Sequence, residues 1–145
     1  MLRRLIHMTH DKQADNWQPI ATMKDWLELE SKVSGFHDGV IKEMHWSHGE
    51  HVNLTFEMVY AGNPRLWILI QLQFAKTPGI EIRFSGVREC SINAVKEVEP
   101  SVSFQTNLIV FSFSGDGISR VIAEACEYRL CGSEILGPGP FHVPL

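Results

Sequence analysis

Gly35-Phe36-His37-Asp38-Gly39-Val40 is the stretch on which the fold turns. Before it, apolar residues recur with a helical period; after it, they alternate. Upstream, residues 19–35 form the helical segment, clearest over 22–34. Thr22 stands three residues before Asp25, a capping box with Asp in place of Glu or Gln. Met23, Trp26, Leu27 and Val33 fall near one stripe, and Lys24, Asp25, Glu28 and Glu30 face away. Gly35 stands where a left-handed residue closes a helix. Residues 1–18 carry no period and form a polar arm.

Downstream, Val52, Leu54, Phe56 and Met58 alternate with Asn53, Thr55 and Glu57, the pattern of a half-buried strand. Leu66, Ile68, Ile70, Leu72 and Phe74 make another inner face. Trp67 and Leu69 opposite them predict a central strand covered on both sides. Ile80, Ile82 and Phe84 alternate with Glu81 and Arg83, and residues 108–113 are apolar on both faces. Turn residues separate these runs at His48-Gly49, Gly62-Asn63-Pro64, Thr77-Pro78-Gly79, Glu99-Pro100 and Ser114-Gly115-Asp116-Gly117. Residues 118–131 have helical propensity, yet the preceding Gly-Asp-Gly turn predicts a strand. The expected fold is therefore α+β and β-rich: an antiparallel meander of about six to seven strands, as a sandwich or half-open barrel, with one N-terminal helix packed on it. The chain is expected to be one domain over 1–145, with arm 1–18, helix 19–35, sheet 36–131 and an irregular tail 132–145 in which Phe141 tucks in.

At the corner, Asp38-Gly39 is turn chemistry: the carboxylate accepts backbone N–H groups while the glycine takes positive φ. Phe36 should plug the seam between helix and sheet, and His37 should bond across to the sheet. A His-Asp pair can also act as acid and base, because histidine titrates near neutrality. Adjacent residues on extended chain point apart, so joint action would need a turn between them. Phe36, His37, Asp38 and Gly39 thus form a structural motif and a possible ligand site.

Four of the seven histidines, His37, His45, His48 and His51, lie between positions 37 and 51. If Val40, Met44 and Trp46 face inward, with Lys42 on that face near an end, and Val52, Leu54 and Phe56 face inward on the next strand, the hairpin closes on Ser47-His48-Gly49, with Gly49 left-handed and Met44 opposite Val52. His45 then stands opposite His51 at about 4.5–5.5 Å between Cβ atoms. Glu43 lies diagonal to them, and the three make a low-ranking zinc-like site, since a metal centre needs a third protein ligand. Solvated histidines near a hairpin tip are the simpler reading.

Composition narrows the function classes. The chain has 145 residues and 44% hydrophobic residues, enough for a packed core. Its 13 basic and 17 acidic residues leave a net charge of −4, with no basic cluster longer than Arg3-Arg4, so nucleic acid is not expected as a ligand. No apolar run approaches the ~20 residues of a membrane span. Residues 1–8 hold two arginines but no signal-peptide apolar core, so a cytoplasmic protein is expected. Cys90, Cys126 and Cys131 are odd in number and should be reduced, buried or half-buried thiols. No nucleophile elbow, phosphate loop or Cys-x-x-Cys pair occurs, and no cofactor is expected.

The Trp26-bearing helix, the Phe36-His37-Asp38-Gly39 step, the alternating Val52, Leu54 and Phe56, and Ile82-Arg83-Phe84-Ser85-Gly86-Val87 together resemble a group of small bacterial proteins, some assigned as immunity proteins of polymorphic toxin systems. The resemblance covers about residues 22–131. It implies an α+β fold and toxin neutralisation by binding without catalysis, and brings no catalytic residues with it. The acidic balance would suit a basic protein partner such as a nuclease toxin. The alternative is a small-ligand or metal-binding enzyme using His37, Asp38, His45 and His51 around a cleft. Exposed aromatics such as Trp46 or Trp67 also allow a homodimer.

Overall fold

The computed structural model describes residues 16–60, 62–73, 76–93 and 97–137. The expectations for arm residues 1–15, for Phe74 and for tail residues 138–145 lie outside the described residues.

The fold is α+β and strand-rich. The elements in chain order are β1 (Gln18–Pro19), α1 (Met23–Lys32), β2 (Val40–Ser47), β3 (His51–Val52), β4 (Met58–Val59), β5 (Arg65–Gln71), β6 (Gly79–Ser91), β7 (Ser101–Gln105), β8 (Leu108–Ser112) and β9 (Arg120–Cys131). Short 3-10 turns occupy Ser34–Phe36 and Ser133–Ile135. Seven strands form one open antiparallel sheet in the order β2-β5-β6-β9-β8-β7, with β1 on β9. The sheet does not close into a barrel. The order is sequential only in halves. After β6 the chain passes to the far edge and returns through β7 and β8, so that β9 is inserted beside β6. Residues 120–131 are strand, as the Gly-Asp-Gly turn predicts.

The helix begins as expected. Thr22 Oγ1 accepts from the Asp25 N–H at 3.2 Å, and Asp25 Oδ2 accepts from the Thr22 and Ala21 N–H groups at 3.0 and 2.9 Å. Its buried stripe differs from the expected one. Trp26, Leu29 and Val33 are buried, whereas Met23 and Leu27 are exposed. The i, i+3, i+7 row starting at Trp26 is the one that meets the sheet, and Leu27 is turned about 100° away from it.

This helix covers one face of the sheet. Trp26 lies edge-on to Phe111 with centroids 5.4 Å apart, and Phe84, Phe111 and Phe113 continue the layer below. Leu66, Ile68, Ile70, Ile80, Ile82, Val121 and Ala123 complete the main core. The opposite face has a second, smaller core of Trp67, Leu69, Cys131 and Ile135, with Trp17 packed against it. β5 is thus covered on both sides, which is why its seven residues read as an almost continuous apolar run.

Two expectations fail in the region 40–59. β2 pairs with β5 and not with the chain that immediately follows. Residues 51–59 form a separate two-stranded hairpin, β3 against β4, in which Leu54 and Phe56 have no core to face. A bulge between Ile41 and Glu43 also shifts the faces of β2. Ile41, opposite Ile70, packs on the main core; Glu43 and His45, opposite Leu69 and Trp67, lie on the second face. One extra residue is enough to turn the rest of a strand over.

The sheet therefore has two distinct ends. The chain enters at Trp17 and leaves at Ile135 beside Gly79 and Cys131, whereas the β3–β4 hairpin springs from the other end, where Ser47 pairs with Arg65.

Candidate functional site

At the corner, Ser34, Gly35 and Phe36 all have left-handed backbone, with φ of 52°, 67° and 62°. Such a conformation costs a non-glycine residue roughly 1–2 kcal/mol. It is held because Phe36 is fully buried and stacks on Trp26, with centroids 5.7 Å apart and rings inclined by 14°. Phe36 plugs the helix–sheet seam as expected. The Asp38-Gly39 step is reversed from the expected one: Asp38 takes positive φ, 56°, and Gly39 does not. Space at 39 is tight: a Cβ there would stand 3.0 Å from the Phe36 carbonyl oxygen and 3.2 Å from Leu72 Cδ2.

The bend brings His37 and Asp38 together, with Nε2 3.4 Å from Oδ2. It supplies the turn that joint action needs. The His37 side chain is 72% exposed, however, and stands out in solvent. Asp38 borders an open groove of about 820 Å³ that Gln71, Gln73, Lys76 and Ser133 also line, above apolar Val40, Leu72, Pro78 and Leu136. A carboxylate, an ammonium, two amides and a hydroxyl around an apolar floor can hold a small amphipathic molecule. His37 is not part of that lining.

The histidine pairing expected from a 47–49 hairpin does not form. His45 stands opposite Trp67, with ring centroids 4.9 Å apart, and its Nε2 is 3.6 Å from Glu43 Oε1. His51 stands opposite Val59 in the hairpin, with Nδ1 3.3 Å from the Gly49 carbonyl oxygen. His48 Nδ1 lies 3.7 Å from Glu50. Among the described residues no three His, Cys, Asp or Glu side chains are grouped to hold a metal ion. The four residues of the enzyme alternative are thus divided between the corner, the second face and the hairpin.

Sequence reasoning missed two features. On the second face, Glu81 is 1% exposed and takes a bidentate pair with Arg129, from both Nε and Nη2. Arg83 pairs with Glu127 at 2.5 Å. The guanidinium carbons of Arg83 and Arg129 lie 4.1 and 4.7 Å from the centre of the Trp17 ring. Alternation marked Glu81 as solvent-facing. Only the return of Trp17 and Ile135 over that face buries it.

The second feature is the hairpin tip. Asn53 Oδ1 accepts from the Thr55 N–H at 3.0 Å, the Thr55 hydroxyl at 2.9 Å and the Glu57 N–H at 2.9 Å. The Asn53 N–H donates to the Glu57 carbonyl at 2.9 Å. The asparagine side chain adds to these backbone bonds, so the alternating run turns back where a strand was expected. The result is a well-ordered tip that directs apolar groups outward. Leu54 is 100% exposed and Phe56 91%, and Val52, Met58 and Tyr60 are also exposed. Phe56 keeps a left-handed φ of 63°, held by its N–H donating to the Asn53 carbonyl at 3.1 Å and not by packing. Its base is fixed. Gly49, at φ 87°, lies so close to Gly62 and Asn63 that a Cβ would stand 2.6 Å from the Asn63 nitrogen. Asn63 Oδ1 in turn accepts from the Gly86 N–H at 2.6 Å, which ties the base to β6. Beside the hairpin, Met44 and Trp46 share the sheet face of Ile68 and Leu66 but lie beyond the helix, and both are exposed.

No family model matches this chain, and no curated protein or solved structure matches it either.

Proposed function

We propose that the protein is a non-enzymatic binding protein that receives a protein partner on the 51–60 hairpin. The observation that carries this reading is the tip itself: two large apolar side chains, Leu54 and Phe56, are presented to solvent on backbone that is hydrogen-bonded into one shape and strained at Phe56. Strain kept where no core requires it is expected at a site of function. Ordered, projecting apolar side chains are also the kind of group that acts as an interface anchor. The net charge of −4, with Glu50 and Glu57 the hairpin's own formal charges, favours a basic partner. Neutralisation of a toxin by binding is the specific form that the resemblance implies.

Site-specific photo-crosslinking in the source cells tests this. A benzophenone side chain at position 54 should capture one basic protein, and the same group at position 28, on the outer face of α1, should not. The adduct should vanish when Phe56→Asp is added. Equal labelling from 54 and 28 would defeat the proposal.

The groove beside Asp38 favours a second reading, small-ligand binding. Under it, ¹⁵N-labelled protein titrated with zwitterionic dipeptides should shift the Gln71, Gln73 and Lys76 signals, and Asp38→Asn should abolish the shift.

A further inference from the structure

We infer that in the free protein the hairpin is covered by a second copy of this chain, across a two-fold axis, the Leu54–Phe56 tip of each copy seated on the Met44–Trp46 strip of the other. The inference rests on reading the hairpin as a docking surface and adds what occupies it before any partner does.

Three observations lead here. The first is shape. One chain carries two unpartnered apolar surfaces of opposite form, a projecting tip and a flat strip at the uncovered end of a sheet face. The hairpin pairs only with itself, and its base is pinned at Gly49 and Asn63. A two-fold contact uses each surface once per copy and closes, as isologous interfaces do.

The second is area. At 150–250 Å² for a fully exposed aromatic side chain, Trp46, Phe56 and Tyr60 present roughly 400 Å² at their observed exposures. With Met44, Val52, Leu54 and Met58 the total reaches roughly 800 Å². Tip and strip together thus offer about one partner's share of a standard interface, about 800 Å².

The third is the edge. β2 is an outer strand, but its bulge at Lys42 interrupts the ladder that a second β2 would need. Bulges of this kind block edge-to-edge pairing. Side-chain contact on the strip remains available.

Sedimentation velocity on the full chain tests the inference. At 100 µM the protein should sediment at twice 16.5 kDa. Leu54→Asp and Trp46→Asp should each sediment at 16.5 kDa with unchanged circular dichroism. Mixed in equal amounts, these two variants should regain part of the dimer, because one intact tip still finds one intact strip. A native chain that stays monomeric at 100 µM overturns the inference. A dimer that survives both substitutions overturns the surface, and a dimer lost in only one of them overturns the tip-on-strip arrangement. A monomeric result leaves the hairpin reading to the crosslinking experiment. A dimer with no heterologous adduct at position 54 would confine the hairpin to self-association.

Discussion

Phe36 and Phe56 have almost the same left-handed φ, yet opposite surroundings. At Phe36 the strain is offset by complete burial against Trp26. At Phe56 it is offset only by the turn's hydrogen bonds, among them the Phe56 N–H donating to the Asn53 carbonyl at 3.1 Å, and not by burial. Asparagine adopts this conformation more readily than phenylalanine, so Phe56→Asn should raise stability by about 1 kcal/mol, or about 2–4 °C in Tm. The same variant should lose the adduct formed from position 54. A thermal melt set beside the crosslinking yield checks both, and a destabilised Phe56→Asn would remove the case for strain at the tip. Asp25 is the second residue with a legible energetic role. The Ala21 N–H, chiefly, holds its carboxyl below its ordinary value of 3.8. A carboxyl lowered on folding stabilises the native state above that value, and the contribution is lost as pH falls through the folded one. Stability should therefore decline below pH 3.8 by an amount missing from Asp25→Ala, which itself costs about 0.5–1 kcal/mol at pH 7. Urea midpoints at pH 7 and pH 3 for both proteins measure it. The Thr22–Asp25 cap was readable because it needs only neighbours in sequence. The crowding at Gly39 was not, because beside the local Phe36 carbonyl it comes from Leu72 and Ile70, far along the chain.

Among the elements, strands buried on both faces were the most legible. Leu66, Ile68 and Ile70 opposite Trp67 and Leu69 allow no solvated side. β2 was misread at its start: one bulge at residues 41–43 puts Ile41, in place of Val40, on the main face, while Met44 and Trp46 keep the face expected of them. β3 and β4 were misread for a different reason. Alternation ordinarily marks a core face, but Val52, Leu54, Phe56 and Met58 alternate without one. An apolar pattern shows what seeks burial and does not show whether the burying surface belongs to the same chain. The candidate metal set of Glu43, His45 and His51 depended on that misread pairing. Between β6 and β9 the Glu81–Arg129 pair crosses the two longest strands. Arg129→Leu would leave the Glu81 carboxylate buried with its guanidinium partner gone, and should cost about 3–5 kcal/mol. Chemical denaturation measures this, and a loss under 1 kcal/mol would show that water reaches Glu81 after all.

For the whole molecule, the antiparallel α+β class was legible, since tight turns at short spacing leave no room for crossover helices. The insertion of β9 beside β6 was not, because no local rule reports which distant strand a sheet edge accepts. That insertion buries Cys126 and Cys131 while Cys90 remains exposed. Burial pushes the Cys126 and Cys131 thiols well up, aided by Glu127 and Glu81 respectively, and Cys90 rises by desolvation as well. In native protein at pH 8 a disulfide reagent should titrate one thiol slowly, at Cys90, and all three only after unfolding; rapid reaction of a second would mean that β9 opens. Finally, Trp17 and Ile135 lie together at the part of the sheet remote from the hairpin. A bulky label on the exposed Glu134 would sit at that end, with Leu54 and Phe56 directed away from it.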